Sequence, residues 1–381
     1  MRNNSLVAVV IADDHYNGLG VIRSLGEEGV PIILILLNTG KTIIDHSRYV
    51  TKTIKTEHNR EAILNVLNSV LSDDKNFALF PLSDYVAEIL DEVYQQFPQN
   101  VITPHAGGNM RKLMDKYILS EMFRSCGVTV PNHIVFSMDE KKIPWETFPA
   151  IVKPLASVEG LKSDIATVHD KTELANELAT LKRKGYSQVL VEEFITGKDE
   201  FMIEILGYMD LNGNPHFSNV VHKIREYPLQ NGSTAFAYFE ENPGYIDFEC
   251  LKKAVQFTGH TGIFDIEFKF GNGRAYFIEM NFRNGAPSYA VTRKGLNIPY
   301  EWLCARTGIG APPKRRISNK KYFMCEHRDV LNMLKKNVAI IKWLRDYYVS
   351  DKIIWNWKDL IPSGKLYGGV LKTAVRRLVH G

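Results

Sequence analysis

FDIEFKFGNGRAYFIEMNFR, residues 264–283, reads as a β-hairpin. Two runs rich in Phe, Ile and Tyr meet at Gly271, Asn272 and Gly273, residue types that accept the positive φ of a tight reversal. With a three-residue loop, Phe270 pairs with Arg274, which sets Asp265 opposite Glu279 and Glu267 on the diagonal. Strand alternation sends Glu279, Asn281 and Arg283 to one face and Tyr276, Ile278, Met280 and Phe282 to the core. Carboxylates and an amide oxygen that converge in this way repel one another unless a cation sits among them, and hard oxygen donors suit Mg²⁺ or Mn²⁺. Arg283 then offers a fixed positive fork to a phosphate or carboxylate beside that metal. The rival reading is the solvated face of an amphipathic hairpin, and the hairpin alone does not choose between them.

Outward from the hairpin, 381 residues with 45% hydrophobic and 24% charged content describe a globular chain of two or three domains. The longest apolar runs, at 6–12 and 30–37, have the length of buried strands and fall far short of a bilayer. Asp13, Asp14 and His15 end the first run before any cleavage region, so a signal peptide is not expected and the cytoplasm is. Cys126, Cys250, Cys304 and Cys325 show neither close pairing nor metal spacing, as in a reducing compartment. The net charge of +4 is concentrated after position 334, where ten Lys or Arg face three Asp. The body has no cationic surplus, which argues against nucleic acid as a partner.

LVAVVIA at 6–12, a helical stretch at 21–28 and a strand at 31–37 set the rhythm of a parallel βαβ unit. The intervening Asn17–Gly18 turn lies at the carboxyl end of the first strand, where open α/β sheets bind ligands, and marks a substrate or anion pocket. A helix at 109–126, the short strand PAIVKP at 149–154, a polar loop at 157–163 and the strand VLVEEFITG at 189–197 then lead to the hairpin.

The ordered set MDKYILSEMFRSCGVTVP, IVKP, VLVEEFITGKDEF and IEMNFR resembles the ATP-grasp superfamily over residues 111–312. The hairpin is similar to that of biotin carboxylases and carbamoyl-phosphate synthases, including glutamates twelve positions apart. The resemblance implies Lys116 and Lys153 as phosphate contacts, Ser157 and Gly160 in a phosphate-covering loop, Glu192, Phe194 and Ile195 at an adenine hinge, and Glu200 on the ribose. It implies Glu267, Glu279 and Asn281 as Mg²⁺ ligands, with Asp265 the alternative first ligand, and Arg283 at the reacting phosphoryl group. The usual NPR is NFR here, which keeps the ligand and the arginine. Both ends of the region look like the D-aspartate ligase branch.

The expected fold is therefore α/β. An N-terminal parallel α/β domain (1–110) precedes an ATP-grasp fold of two lobes, a lid with hinge (111–195) and a C-terminal lobe with the metal site (196–312), and a helical tail (313–381). The resemblance implies a carboxylate–amine ligase that uses ATP and Mg²⁺ or Mn²⁺ to form an acyl phosphate, which an amine attacks. Such a reaction depends on positioning and charge neutralisation, and the chain shows no Ser/His/Asp or Cys/His set. An amino acid joined to a cell-envelope or other small acceptor fits the D-aspartate ligase likeness. A carboxylase or kinase on the same scaffold and a non-catalytic nucleotide-binding protein are the rival readings. His222, Lys223 and Arg225 in VVHKIRE are candidates for triphosphate or acceptor contacts, or belong to a solvated strand face. The tail, with Trp343, Trp355, Trp357 and the basic excess, suits either a lipid-linked acceptor and the inner membrane surface, or a cap packed on the body. A homodimer is compatible with all of this.

Overall fold

The apolar runs become neighbouring strands β1 (Leu6–Ala12) and β2 (Ile32–Leu36), parallel and buried on both faces as central strands of a parallel sheet must be. The computed structural model describes residues 6–155, 164–196, 202–229, 232–241, 243–310 and 317–369. With β3 (Val50–Lys55), β4 (Asn76–Pro81) and β5 (Val101–Ile102), these strands form a five-stranded sheet of order β3-β2-β1-β4-β5. Helices α1 (Tyr16–Gly26), α2 (Arg60–Val70) and α3 (Asp84–Glu92) make the connections.

The expected turn at Asn17–Gly18 is instead the first turn of α1, with His15 as N-cap. Its glycines serve packing: a Cβ on Gly18 would lie 3.0 Å from Ile44, and one on Gly20 would lie 3.1 Å from Tyr289. Helical propensity is sacrificed so that α1 can press against its neighbours.

The expected helix at 109–126 is two helices, α4 (Met110–Leu113) and α5 (Lys116–Ser125). Asp115 separates them, its carboxylate accepting from Tyr117 N and Ile118 N as the cap of α5. A four-stranded antiparallel sheet follows, of order β6-β9-β7-β8, built from β6 (His133–Ser137), β7 (Ala150–Lys153), β8 (Ala166–Val168) and β9 (Gln188–Glu193). Leu174, Leu178 and Leu181 of α6 (Lys171–Arg183) bury its inner face.

The largest sheet has eight strands in the order β15-β14-β10-β12-β13-β16-β17, with β11 paired to β10. They are β10 (Met202–Met209), β11 (Pro215–Phe217), β12 (Val220–Tyr227), β13 (Ser233–Glu240), β14 (Ile263–Gly271), β15 (Arg274–Asn281), β16 (Tyr322–Met324) and β17 (Ser350–Lys352). Helix α7 (Phe248–Phe257) packs beside α5, and α8 (Ser288–Arg293) and α9 (Ile298–Thr307) pack against α1.

The tail is not only helical. It donates β16 and β17 to this sheet around α10 (Glu326–Leu334) and α11 (Ile340–Val349). Arg225 clamps the two helices through Asp329 (2.7 Å) and Asp346 (2.6 Å) and stacks on Phe236. Buried Glu326 accepts from the amides of Ile353, Ile354 and Trp355. The segment then returns to α1, where fully buried Arg23 donates to Asp359, to the carbonyls of Ile353, Ile354 and Asp359, and to Ser363.

Candidate active site

The hairpin turn is one residue tighter than expected. Gly271 pairs with Arg274, leaving Asn272 (φ 50°) and Gly273 (φ 73°) as a two-residue reversal with both central residues left-handed. A bulge on β15 at Ile278 then places Glu267 directly opposite Glu279, and Asp265 opposite Asn281. The slip also changes the faces. Ala275 and Phe277 enter the core where Tyr276 and Ile278 were expected, while Met280 and Phe282, beyond the bulge, are buried as expected.

On the next strand Glu204 lies opposite Glu267, and Lys223 of β12 reaches Glu204 at 3.5 Å and Glu226 at 3.7 Å. A row Glu279–Glu267–Glu204–Lys223 thus crosses three strand boundaries on one face. Burial, reinforced by Glu279 and Glu204 against the pull of Lys223, pushes the Glu267 carboxyl up to about 7. Burial and the same carboxylate crowding raise Asp265 well above its usual range. Burial alone would lower Lys223, but Glu267, Glu204, Glu226 and Asp265 outweigh it and keep the ammonium charged. Charge is concentrated here at the expense of stability, the usual mark of a functional cleft.

Arg283 approaches Asp84 at 3.4 Å and donates to Asn281 Oδ1 at 3.0 Å. Around it, Asp84 Oδ1, Asp265 Oδ1, Asn281 Nδ2 and Asn284 Oδ1 are buried without a hydrogen-bond partner among the described residues. Gly285 admits this crowding, because a Cβ there would lie 2.7 Å from the Asp265 carboxylate. Lys116, at the first position of α5, lines a small cleft with Asp84, Glu279 and Asn281. Burial lowers its pKa, Glu279 raises it and Lys153 lowers it, so the two lysines and β15 share one region. Lys153 is itself buried, with its ammonium 2.8 Å from Glu192. The structure therefore brings together Lys116, Lys153, Glu192, Glu267, Glu279, Asn281, Arg283 and Lys223.

Ile195 is buried and touches the hairpin turn, where a Cβ on Gly271 would lie 2.5 Å from it. Phe194 follows β9, its amide bonded to Pro149 O. Ser157, Gly160 and Glu200 lie outside the described residues. His222 faces away from Lys223, donating or accepting within a Glu240–Tyr245 network and stacking on Tyr238, and Arg225 is committed to the tail. Asn17 exchanges hydrogen bonds with Asn284, its side-chain amide donating to Asn284 O at 2.8 Å and accepting from Asn284 Nδ2 at 2.6 Å, and so ties α1 to the turn after β15.

Several residues at the cleft carried no sequence signal. Asp84 follows the carboxyl end of β4, a position that the topology rule could have flagged. His327 and Arg328, at the start of α10, come from the tail: Tyr16 lies 5.7 Å from the His327 ring and 5.6 Å from the Arg328 guanidinium. Burial, Arg328 and Arg283 push His15 down to about 4, and burial, Arg328 and His15 push His327 down to about 3. Two guanidiniums and two imidazoles thus gather where α1 begins.

Two carboxylates and an amide oxygen form an open donor set. Among the described residues no three His, Cys, Asp or Glu side chains are grouped to hold an ion. Mg²⁺ is commonly held this way, by one or two carboxylates with phosphates and waters completing its shell, so the residues present fit it.

No family model matches the chain. A D-aspartate ligase of Enterococcus faecium (strain Aus0004) is 23% identical over 325 residues, 78% of this chain and 76% of that one. A D-alanine–D-alanine ligase of Pelagibacter ubique (strain HTCC1062) is 25% identical over 215 residues, 51% of this chain and 68% of that one. Among solved structures, N5-carboxyaminoimidazole synthetase of Staphylococcus aureus superposes with a TM-score of 0.65 at 16% identity, covering 88% of each chain. L-amino acid ligase of Bacillus licheniformis does so with a TM-score of 0.60 at 16% identity, covering 81% of this chain and 77% of that one.

Proposed function

We propose that the chain is an ATP-grasp carboxylate–amine ligase, a reading its relatives and structural neighbours support, and that it activates an amino-acid carboxylate with ATP and joins it to the amine of a small acceptor. The observation that carries this reading is the direct Glu267–Glu279 pair with Lys116, Lys153 and Arg283 around it. Glu192, Phe194 and Ile195 line the adenine side, and Lys153 and Lys116 meet the phosphates. Glu267, Glu279 and Asn281 would hold Mg²⁺, which neutralises the phosphate charge when bound.

The direct pairing favours Glu267 over Asp265 as first ligand, because Asp265 faces Asn281 and is hemmed in by Gly285. Arg283 stands where negative charge builds as the γ-phosphoryl group moves to the substrate carboxylate. The resulting acyl phosphate loses phosphate when the amine attacks its carbonyl carbon, which forms the amide. Asn17 with Asn284, His15, Lys223, His327 and Arg328 bound the space left for acid and amine. The likeness to D-aspartate ligase supports an amino acid as the acid.

ADP release from Mg²⁺·ATP across a panel of amino acids and amines tests this reading. Amine-dependent release that falls about 10²–10³-fold in Arg283→Ala is expected. Release undiminished in that variant would overturn the role given to Arg283.

A second reading concerns location. Among the described residues no helix is long and apolar enough to cross a membrane. Even so, α11 leaves Ile341 84% and Tyr348 82% exposed beside Lys342 and Arg345. That face suits a peripheral contact with an anionic membrane carrying a lipid-linked acceptor. Co-sedimentation with anionic liposomes that is lost in Ile341→Ser supports it, and no co-sedimentation refutes it.

A further inference from the structure

At the far end of α1 from the catalytic cleft lies a second pocket, of about 350 Å³, formed where the tail returns to the body. Glu27, Arg293, Lys320, Asp351, Lys352, Trp355, Trp357 and Lys358 line it. We propose that it is a binding site for a small aromatic anion, an aryl phosphate or aryl carboxylate, separate from the site of catalysis.

The charge balance points to an anion. Four cationic side chains face two carboxylates, and both carboxylates are already engaged. Glu27 accepts from Tyr289 (2.7 Å) and Asn356 (3.0 Å), and Asp351 lies 3.7 Å from Arg293. Arg293 keeps a buried Nε without a hydrogen-bond partner among the described residues.

The two inner lysines are crowded. Lys320 donates to Tyr348 O and Ser350 O, and Lys352 donates to Tyr347 O and to the same Ser350 O at 2.6 Å. Both cap the carboxyl end of α11, which accounts for one ammonium and leaves the second in repulsion with it. Burial, then Lys320, push Lys352 down to about 8. An anion between them would relieve that repulsion.

The aromatic part of the ligand is indicated by the tryptophans. Trp355 and Trp357 stand edge to face at 5.0 Å, and Trp357 is 77% exposed, an unusual cost for so large an apolar surface beside four cations. The volume is at the lower end for small-molecule sites, with room for one ring and one anionic group. With 11 residues in α1, its two ends lie about 17 Å apart, too far for one ligand of this size to touch both.

The test uses phenyl phosphate, titrated into the full chain and read by tryptophan fluorescence and calorimetry, with inorganic phosphate and phenol as its two halves. Phenyl phosphate is expected to bind about tenfold tighter than either half and to persist under saturating Mg²⁺·ATP. Trp357→Ala is expected to weaken phenyl phosphate about tenfold and to leave inorganic phosphate unchanged, whereas Lys352→Met weakens both. Trp357 is exposed, so its variant folds whatever the fate of Lys352→Met. No saturation by roughly 10 mM, displacement by Mg²⁺·ATP, or binding indifferent to both substitutions overturns the proposal.

Discussion

Arg23→Met isolates what holds the tail to the body. The guanidinium is fully buried and donates five hydrogen bonds to the returning segment, the best of them charge-assisted, to Asp359 Oδ2 at 2.9 Å. Methionine refills much of the stem but leaves the Asp359 carboxylate, among the described residues, with Ser47 Oγ and Arg48 N as donors, and it removes the guanidinium donor of Ile353 O and one of the two donors to Ile354 O, the other being Ser363 Oγ. Breaking one side of a buried pair costs about 3–5 kcal/mol, which raises the population of an undocked tail about 10²–10⁴-fold. Hydrogen exchange at Ile353, Ile354 and Trp355, whose amides are held by Glu326, should accelerate by about that factor, while the β1 amides do not change. A cycle with Asp359→Asn should show coupling of about 2 kcal/mol or more. Acceleration below about fivefold, or additive single effects, would refute the view that this buried pair anchors the tail.

Other consequences are independently measurable. Gly271→Val should raise the KM for ATP and cost about 1–3 kcal/mol, because its Cβ would lie 2.5 Å from Ile195 at the hinge; an unchanged KM would remove the hinge–hairpin contact from the account of nucleotide binding. Arg328→Met should raise the KM for acid or amine but not for ATP, and should let His15 and His327 titrate closer to their ordinary 6.5 in NMR; histidines that do not move would contradict the shared cluster. Phenyl phosphate affinity should be flat between about pH 7 and 8, where the ligand is a dianion, and fall above that as Lys352 loses its proton, and the alkaline fall should vanish in Lys352→Met. His260 is buried and pushed down to about 4 by burial, so between pH 6.5 and 4 the unfolded chain binds more protons and stability should drop by about 3 kcal/mol as pH falls. Urea midpoints in wild type and His260→Asn would show whether that acid limb belongs to this ring.

The hairpin and the parallel sheet were legible because period and turn chemistry are local. Asn272 and Gly273 announce a reversal whatever surrounds them, and LVAVVIA can only be buried. The register was not legible. A single bulge at Ile278, favoured by the packing of Phe277 on Phe123 with ring centroids 4.0 Å apart, moved Glu267 opposite Glu279, and no propensity encodes such a slip. The glycines of α1 read as a turn because a sequence does not show the neighbours that require them. His15, His327 and Arg328 were invisible for the same reason: they come from separate segments and meet only through tertiary packing, whereas Asp84 stands at a strand end that the topology rule marks. VVHKIRE offered three polar candidates, but alternation turns His222 away from Lys223, a bulge at Ile224 turns Arg225 away as well, and only Lys223 met the acidic row.

The placement of β16 and β17 also bears on how the chain tolerates cutting. Without them β13, whose Ala235, Phe236, Ala237 and Phe239 are buried, would present a bare row of amides and carbonyls along an apolar rim. Such a rim is a template for another copy's strand. A version ending near residue 312 would keep every side chain assigned here to nucleotide and metal, yet it would be expected to enter inclusion bodies, self-associating edge to edge. The last strands of the chain thus act as its protection against polymerisation.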